Sequence, residues 1–119
     1  MIKVVTLLKK KSGMSRGAFI KRYEGGHVPL IKEVIPFYSQ YRRSYIIDDE
    51  RFKSDHVANA APIDREFDVF TEMWFDTREN YEKMLTVLAD PAIGNMIKED
   101  EMDFLDRDEM SMYMVEEYN

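Results

Sequence analysis

Two histidines and a set of tyrosines are the side chains of this 119-residue chain best suited to moving protons. His27 is the leading candidate. An imidazole titrates near pH ~6.5, so it can take a proton from a substrate and return it at neutral pH. It follows Gly25-Gly26, and two residues without side chains let backbone and substrate approach closely. The competing reading is a structural histidine that bonds a neighbouring carbonyl and fixes a helix break. Tyr23 and Tyr41 are phenols able to donate hydrogen bonds to an oxyanion or enolate. Against that, a buried tyrosine often fills core and satisfies its hydroxyl locally.

Arg42 and Arg43 are adjacent in a segment that reads as extended, so they leave it on opposite faces and only one can enter a given pocket. A guanidinium there, with Arg43 as the candidate, would select an anionic or phenolate ligand. Asp68 and Glu72 are four apart on a strand and share a face with Phe70 and Trp74. A carboxylate flanked by aromatics can have a raised pKa and serve as acid or base; the competing reading is a salt bridge to Arg42 or Arg43. Trp74 reads as a wall of pocket or core. Arg43, Trp74, Asp68 and Glu72 form the expected substrate-binding set, and His27, Tyr23 and Tyr41 the catalytic set. His56 reads as a surface-loop residue. Neither histidine has the tight carboxylate spacing of a helical metal site, and the nine methionines read as soft packing. With no dinucleotide or phosphate-loop glycine motif, the expectation is chemistry without cofactor or metal.

Those residues must be held by a small set of elements. In residues 14–36 the apolar positions Phe19, Ile20 and Tyr23, then Leu30, Ile31, Val34 and Ile35, fall at helical spacing, with a break at Gly25-Gly26 and a restart near Pro29. Ser15 is the expected N-cap. Phe19, Tyr23 and His27 are four apart, so a continuous helix would place them on one inward stripe. Strands are expected over residues 2–9, 37–48, 67–75 and 110–118. A capping box at Asp76 and Glu79 opens the second helix, with Tyr81, Met84, Leu85 and Leu88 inward. Asp90-Pro91 restarts it, with Ile93, Met96, Ile97 and Met102 apolar and residues 98–101 solvated. Residues 49–66 are a long irregular piece of the kind that is functional or mobile.

The order strand, helix, strand, strand, helix, strand predicts a single α+β domain over residues 1–119, a ferredoxin-like βαββαβ sandwich. Two helices cover one face of a four-stranded sheet. The other face would carry methionines and aromatics, and an exposed apolar patch of that kind marks association. A homodimer joined sheet to sheet into an α/β barrel follows.

Composition narrows the partners. Apolar residues make up 45% and charged residues 34%, as in a globular protein that buries a core. A net charge of −6 argues against nucleic acid and against an anionic membrane surface. The absence of cysteine removes disulfides, thiolate ligands and thiol nucleophiles. The short apolar run at the N-terminus, with lysines mostly after it, is unlike a signal peptide, so a cytoplasmic protein is expected.

Several stretches together resemble the EthD family of the dimeric α/β-barrel superfamily: Lys3-Val4-Val5, Gly13-Met14-Ser15, Phe19, Tyr23, His27-Val28-Pro29, Phe67-Asp68-Val69, Glu72-Met73-Trp74-Phe75, Asp90-Pro91, and Asp100-Glu101 with Phe104. The resemblance covers nearly the whole chain and lies in order and spacing rather than in one diagnostic motif; residues 49–65 take no part in it. It implies a dimer with a ligand cavity between each sheet and its own helices, and it favours a site role for His27. It does not imply one reaction, since members are associated with fuel-ether degradation and with dehydration of polyketide intermediates. The resulting expectation is a small cofactor-independent enzyme, a lyase, dehydratase or isomerase, acting on a hydrophobic or aromatic, polyketide-like oxygenated metabolite by proton transfer. The alternatives are a cofactor-free monooxygenase, or a non-catalytic ligand-binding accessory protein of a catabolic pathway.

Overall fold

The computed structural model describes residues 1–49, 51, 53–58 and 65–119. Four antiparallel strands, β1 (Ile2–Lys10), β2 (Gln40–Tyr45), β3 (Val69–Phe75) and β4 (Leu105–Val115), form one sheet in the order β2-β3-β1-β4. Helices α1 (Arg16–Arg22), α2 (Val28–Val34), α3 (Arg78–Ala89) and α4 (Pro91–Met102) lie on one face of it. This is the expected ferredoxin-like arrangement. The part of residues 49–66 that covers positions 50, 52 and 59–64, including Pro62, lies outside the described residues.

Helix starts follow local chemistry. Ser15 accepts from the Ala18 N–H at 3.1 Å and Asp90 from the Ala92 N–H at 2.9 Å, with Pro91 at the first helical position. At α3 the cap is Thr77, which accepts from Asn80 N–H at 3.1 Å, one residue later than the expected Asp76. The expected break at Gly25-Gly26 is instead a widening. Arg22, Tyr23, His27 and Val28 all keep helical dihedrals. Tyr23–His27 make one π turn, closed by the Val28 N–H on the Tyr23 carbonyl. Such single wide turns inside helices are frequent at functional sites.

Two apolar clusters form the core. Leu8, Phe19, Tyr23, Val28, Val69, Phe104 and Leu105 make one; Val4, Ile31, Ile35, Phe75, Met84 and Ile97 make the other. Each fully buried side chain of this size contributes about 1.5–3 kcal/mol by leaving water. In α3 the inward residue is Met84, with Tyr81 and Val87 partly buried, while Leu85 and Leu88 are exposed. In α4 the inward stripe is Ile93, Ile97 and Glu101, not the expected apolar side through Met96 and Met102, which are 44% and 54% exposed.

Cross-strand pairing fixes the faces. Val4 is in the core and pairs with Met114, and Thr6 pairs with Met112, so these methionines stand on the helix-facing side. The open face therefore carries Val5, Leu7, Phe70, Trp74 and Tyr113 together with Lys3, Arg42 and Glu72; aromatics are there as expected and the methionines are not. The β1–β4 ladder slips between Leu7 and Lys9, so that residues 107–110 of β4 stand opposite Leu8. A bulge of this kind bends the strand and re-aims its side chains. Among the described residues, no helix is long and apolar enough to cross a membrane.

Candidate active site

Between the sheet and its helices lies a cavity of about 350 Å³. Val4, Thr6 and Leu8 of β1, Thr71 and Met73 of β3 and Tyr41 of β2 form its floor. Tyr23, His27, Ile31 and Ile35 line one wall, and Met84, Leu88, Ile97 and Glu101 the other. Arg107, Met110 and Met112 reach it from β4, two of them from the bulge. The lining is mostly apolar with a few converging polar groups, as small-molecule sites generally are.

His27 stands at the end of the π turn and is 5% exposed. Its ring meets Tyr23 edge-on, 5.2 Å between centroids, and lies tilted against Phe104 at 5.3 Å. The Phe19, Tyr23, His27 stripe is thus present, with the histidine inward beside a tyrosine. His27 Nδ1 is 2.7 Å from Asp100 Oδ2, and Arg22 Nη2 donates to Asp100 Oδ1 at 2.5 Å. Burial works to raise the Asp100 carboxyl, but the hydrogen bonds from Arg22 and His27 outweigh it and hold its pKa below the ordinary value. Burial lowers the pKa of His27 and the Arg22 charge adds to that, against the opposing pull of Asp100. An ionised Asp100 has no proton to give, so Nδ1–H must be the donor. In the neutral ring Nε2 then carries the lone pair, on a residue that lines the cavity, and that is the state a general base requires.

Gly26 makes this arrangement possible. A Cβ at Gly26 would collide with the guanidinium of Arg22, which lies back across the helix to reach Asp100. The Tyr23 and Tyr41 hydroxyls are 3.4 Å apart at the cavity wall. Burial raises both phenols, Tyr23 well above its usual value and Tyr41 to about 12. Both remain protonated donors at neutral pH.

The expected substrate-binding set is not brought to this cavity. Arg43 makes a two-pronged ion pair with Glu24 (2.9 and 2.7 Å), and Tyr45 donates to the same carboxylate at 2.6 Å. Its guanidinium is thereby neutralised beside the cavity rather than inside it. Trp74 and Glu72 lie on the opposite face of the sheet. The Trp74 indole N–H donates to Glu117 at 3.1 Å, and Glu72 pairs with Lys3 at 2.7 Å rather than with an arginine across the sheet. Asp68 immediately precedes β3, accepting from the Lys10 N–H at 2.8 Å and pairing with Arg65 at 3.1 Å. His56 is exposed, as expected of a loop residue.

Three cavity or dyad residues escaped sequence reasoning: Asp100, Glu101 and Arg107. Asp100 and Glu101 were expected to be solvated. Glu101 is 8% exposed, and the signal for it was present: it falls four residues after Ile97 and eight after Ile93, where the inward stripe would otherwise be apolar. Burial raises its pKa, and the Arg107 guanidinium, whose Nε is 3.4 Å from Oε1, does not offset that. Among the described residues, no three acidic or histidine side chains come together as a metal site would need.

Comparison with known proteins places the fold among relatives. Residues 11–108 match the family model described as the EthD domain. No functionally curated protein matches the chain. An ethyl tert-butyl ether D (EthD) family protein from Bacillus halodurans superposes with a TM-score of 0.63 at 20% identity, covering 99% of each chain. An EthD-like protein from Ralstonia eutropha gives 0.60 at 17% identity, covering 96% of this chain and 86% of its own. A dimeric ferredoxin-like protein of unknown function from Thermobifida fusca gives 0.52 at 11% identity, covering 96% and 88%.

Proposed function

The chain belongs to the EthD family, and on that premise we propose that it is a small cofactor-independent enzyme, a lyase, dehydratase or isomerase. The substrate is a hydrophobic or aromatic oxygenated metabolite, and the reaction removes a proton from carbon next to a carbonyl. His27 Nε2 is the general base, and Tyr23 with Tyr41 steadies the developing oxyanion. Dimeric neighbours of the same fold support a homodimer. The single observation that carries the reading is the His27–Asp100 contact at 2.7 Å, which engages Nδ1 and so leaves Nε2 as the basic nitrogen of a ring that lines an apolar cavity.

Ring opening of nitrobenzisoxazole tests it. A base takes the carbon-bound proton of this probe, the N–O bond breaks and a coloured phenolate leaves, with little need for an acid. The purified protein should open it faster than free imidazole, and His27→Ala should remove about 10²–10⁴-fold of the rate. Equal rates with and without His27 would overturn the assignment. The cavity would equally suit a ligand-binding accessory protein, which would hold the probe without opening it.

A further inference from the structure

We infer that Glu101 is a second catalytic residue, the general acid that protonates the departing oxygen while His27 acts as base. The inference rests on the proposed base role of His27 and extends it. Glu101 and His27 line one cavity from different elements, α4 and the π turn. They are linked through Asp100, which neighbours Glu101 in sequence and bonds His27 in space. Two consecutive carboxyl groups thus have divided roles. Asp100 is tied to Arg22 and His27, and so serves as an ionised anchor. Glu101 is buried on the cavity side, with Arg107 Nε 3.4 Å from its Oε1. Titratable groups whose surroundings push their pKa values apart mark the acid and the base of a site. Here burial raises Glu101 and lowers His27, which favours the proton-bearing form of the first and the neutral form of the second.

The step balances. Nε2 of His27 takes the proton from the carbon beside the carbonyl, and that electron pair becomes the new C=C bond. The C–O bond at the next carbon breaks, and the Glu101 carboxyl proton goes to the leaving hydroxyl, which departs as water. Exchange with solvent returns the histidine and the carboxylate to their starting forms. The other charged or titratable groups lining the cavity are Tyr23, Tyr41 and Arg107. Their raised pKa values make the two phenols weaker acids than a carboxyl group, and Arg107 holds its protons too tightly to lend one, so Glu101 is the strongest acid among them.

Two probes separate this role from that of the base. The aldol adduct of benzaldehyde and acetone, a β-hydroxy ketone, needs both a base and an acid to lose water. Nitrobenzisoxazole needs the base. Glu101→Gln, close in shape, should cost about 10²–10⁴-fold in dehydration and far less in ring opening. In the intact protein dehydration should fall as pH rises through the Glu101 ionisation, and Glu101→Gln should abolish that alkaline limb. Equal losses on both probes, or an unchanged alkaline limb, would overturn the role of Glu101. So would a protein that opens nitrobenzisoxazole but leaves the adduct untouched, although the His27 assignment would then stand. Failure on both probes would remove the base itself and the acid with it.

Discussion

His27 Nδ1 and Asp100 Oδ2 are 2.7 Å apart although 73 residues separate them in the chain. The contact ties the π turn of the first helical stretch to the end of α4, and it decides which ring nitrogen is free. Asp100→Asn replaces an acceptor-only group with one that can also donate, so the ring no longer has a fixed tautomer. Ring opening of nitrobenzisoxazole should fall by about 10²–10⁴-fold, as expected when a base loses its orienting carboxylate. The raising influence of Asp100 on His27 also disappears, so the His27 titration should move to lower pH. Proton NMR can follow this, because the chain has only two histidine rings to assign.

Gly26→Ala tests whether Arg22 tunes His27. The new methyl group would displace the Arg22 guanidinium, and Ala is otherwise the better helix residue by about 0.8–1 kcal/mol, so folding should survive. Arg22 lowers the His27 pKa through its charge. With Arg22 displaced, the His27 titration should shift to higher pH, opposite in direction to Asp100→Asn. An unchanged His27 midpoint would mean that Arg22 anchors the helix without tuning the base.

Much of the fold was legible because its signals are local. Ser15 and Asp90 cap helices by bonding the chain two or three residues on, and alternation along β1 and β3 follows directly from strand geometry. Tyr23 and His27 were legible as inward-facing residues for the same reason, since a four-residue spacing on a helix needs no knowledge of partners. What failed was long-range. The partners of Arg43, Glu72 and Asp68 turned out to be Glu24, Lys3 and Arg65, and strand alternation alone does not select among charges on neighbouring elements. Strand alternation put Trp74 and Glu72 on one face, but which face the helices cover follows from how the chain crosses the sheet. Asp100 resembled a solvated charge until α4 was docked against the π turn.

The open sheet face predicts association. Leu7 pairs with Phe70 across the β1–β3 ladder, on the side away from the helices, beside Val5, Trp74 and Tyr113. Light scattering should give a dimer, about twice the 14.2 kDa of one chain. Leu7→Glu would place a charge at the centre of that face, and burying an unpaired carboxylate costs several kcal/mol. The variant should therefore run as a monomer with its circular dichroism intact. A wild-type monomer at micromolar concentration would sink the dimer.

Stability against pH gives a test of Glu101 that needs no substrate. Its folded-state pKa is raised above the ordinary glutamate value of 4.5, so the folded protein holds this proton more tightly than the unfolded chain does. Its contribution is fully present below about pH 4.5 and is lost as pH rises through the folded-state value. Glu101→Gln does not titrate. It should match the parent near pH 4 and become progressively more stable than the parent as pH rises, until Glu101 is ionised in both states. Arg107→Gln should do the reverse in one respect. It removes the charge that pulls the Glu101 pKa down, so the loss of stability would extend to higher pH. Thermal melts from acid to alkaline pH on the three proteins read both effects. Parallel curves for the parent and Glu101→Gln would show that Glu101 ionises in the folded state as easily as in the unfolded chain, and it would then have no proton to donate at neutral pH.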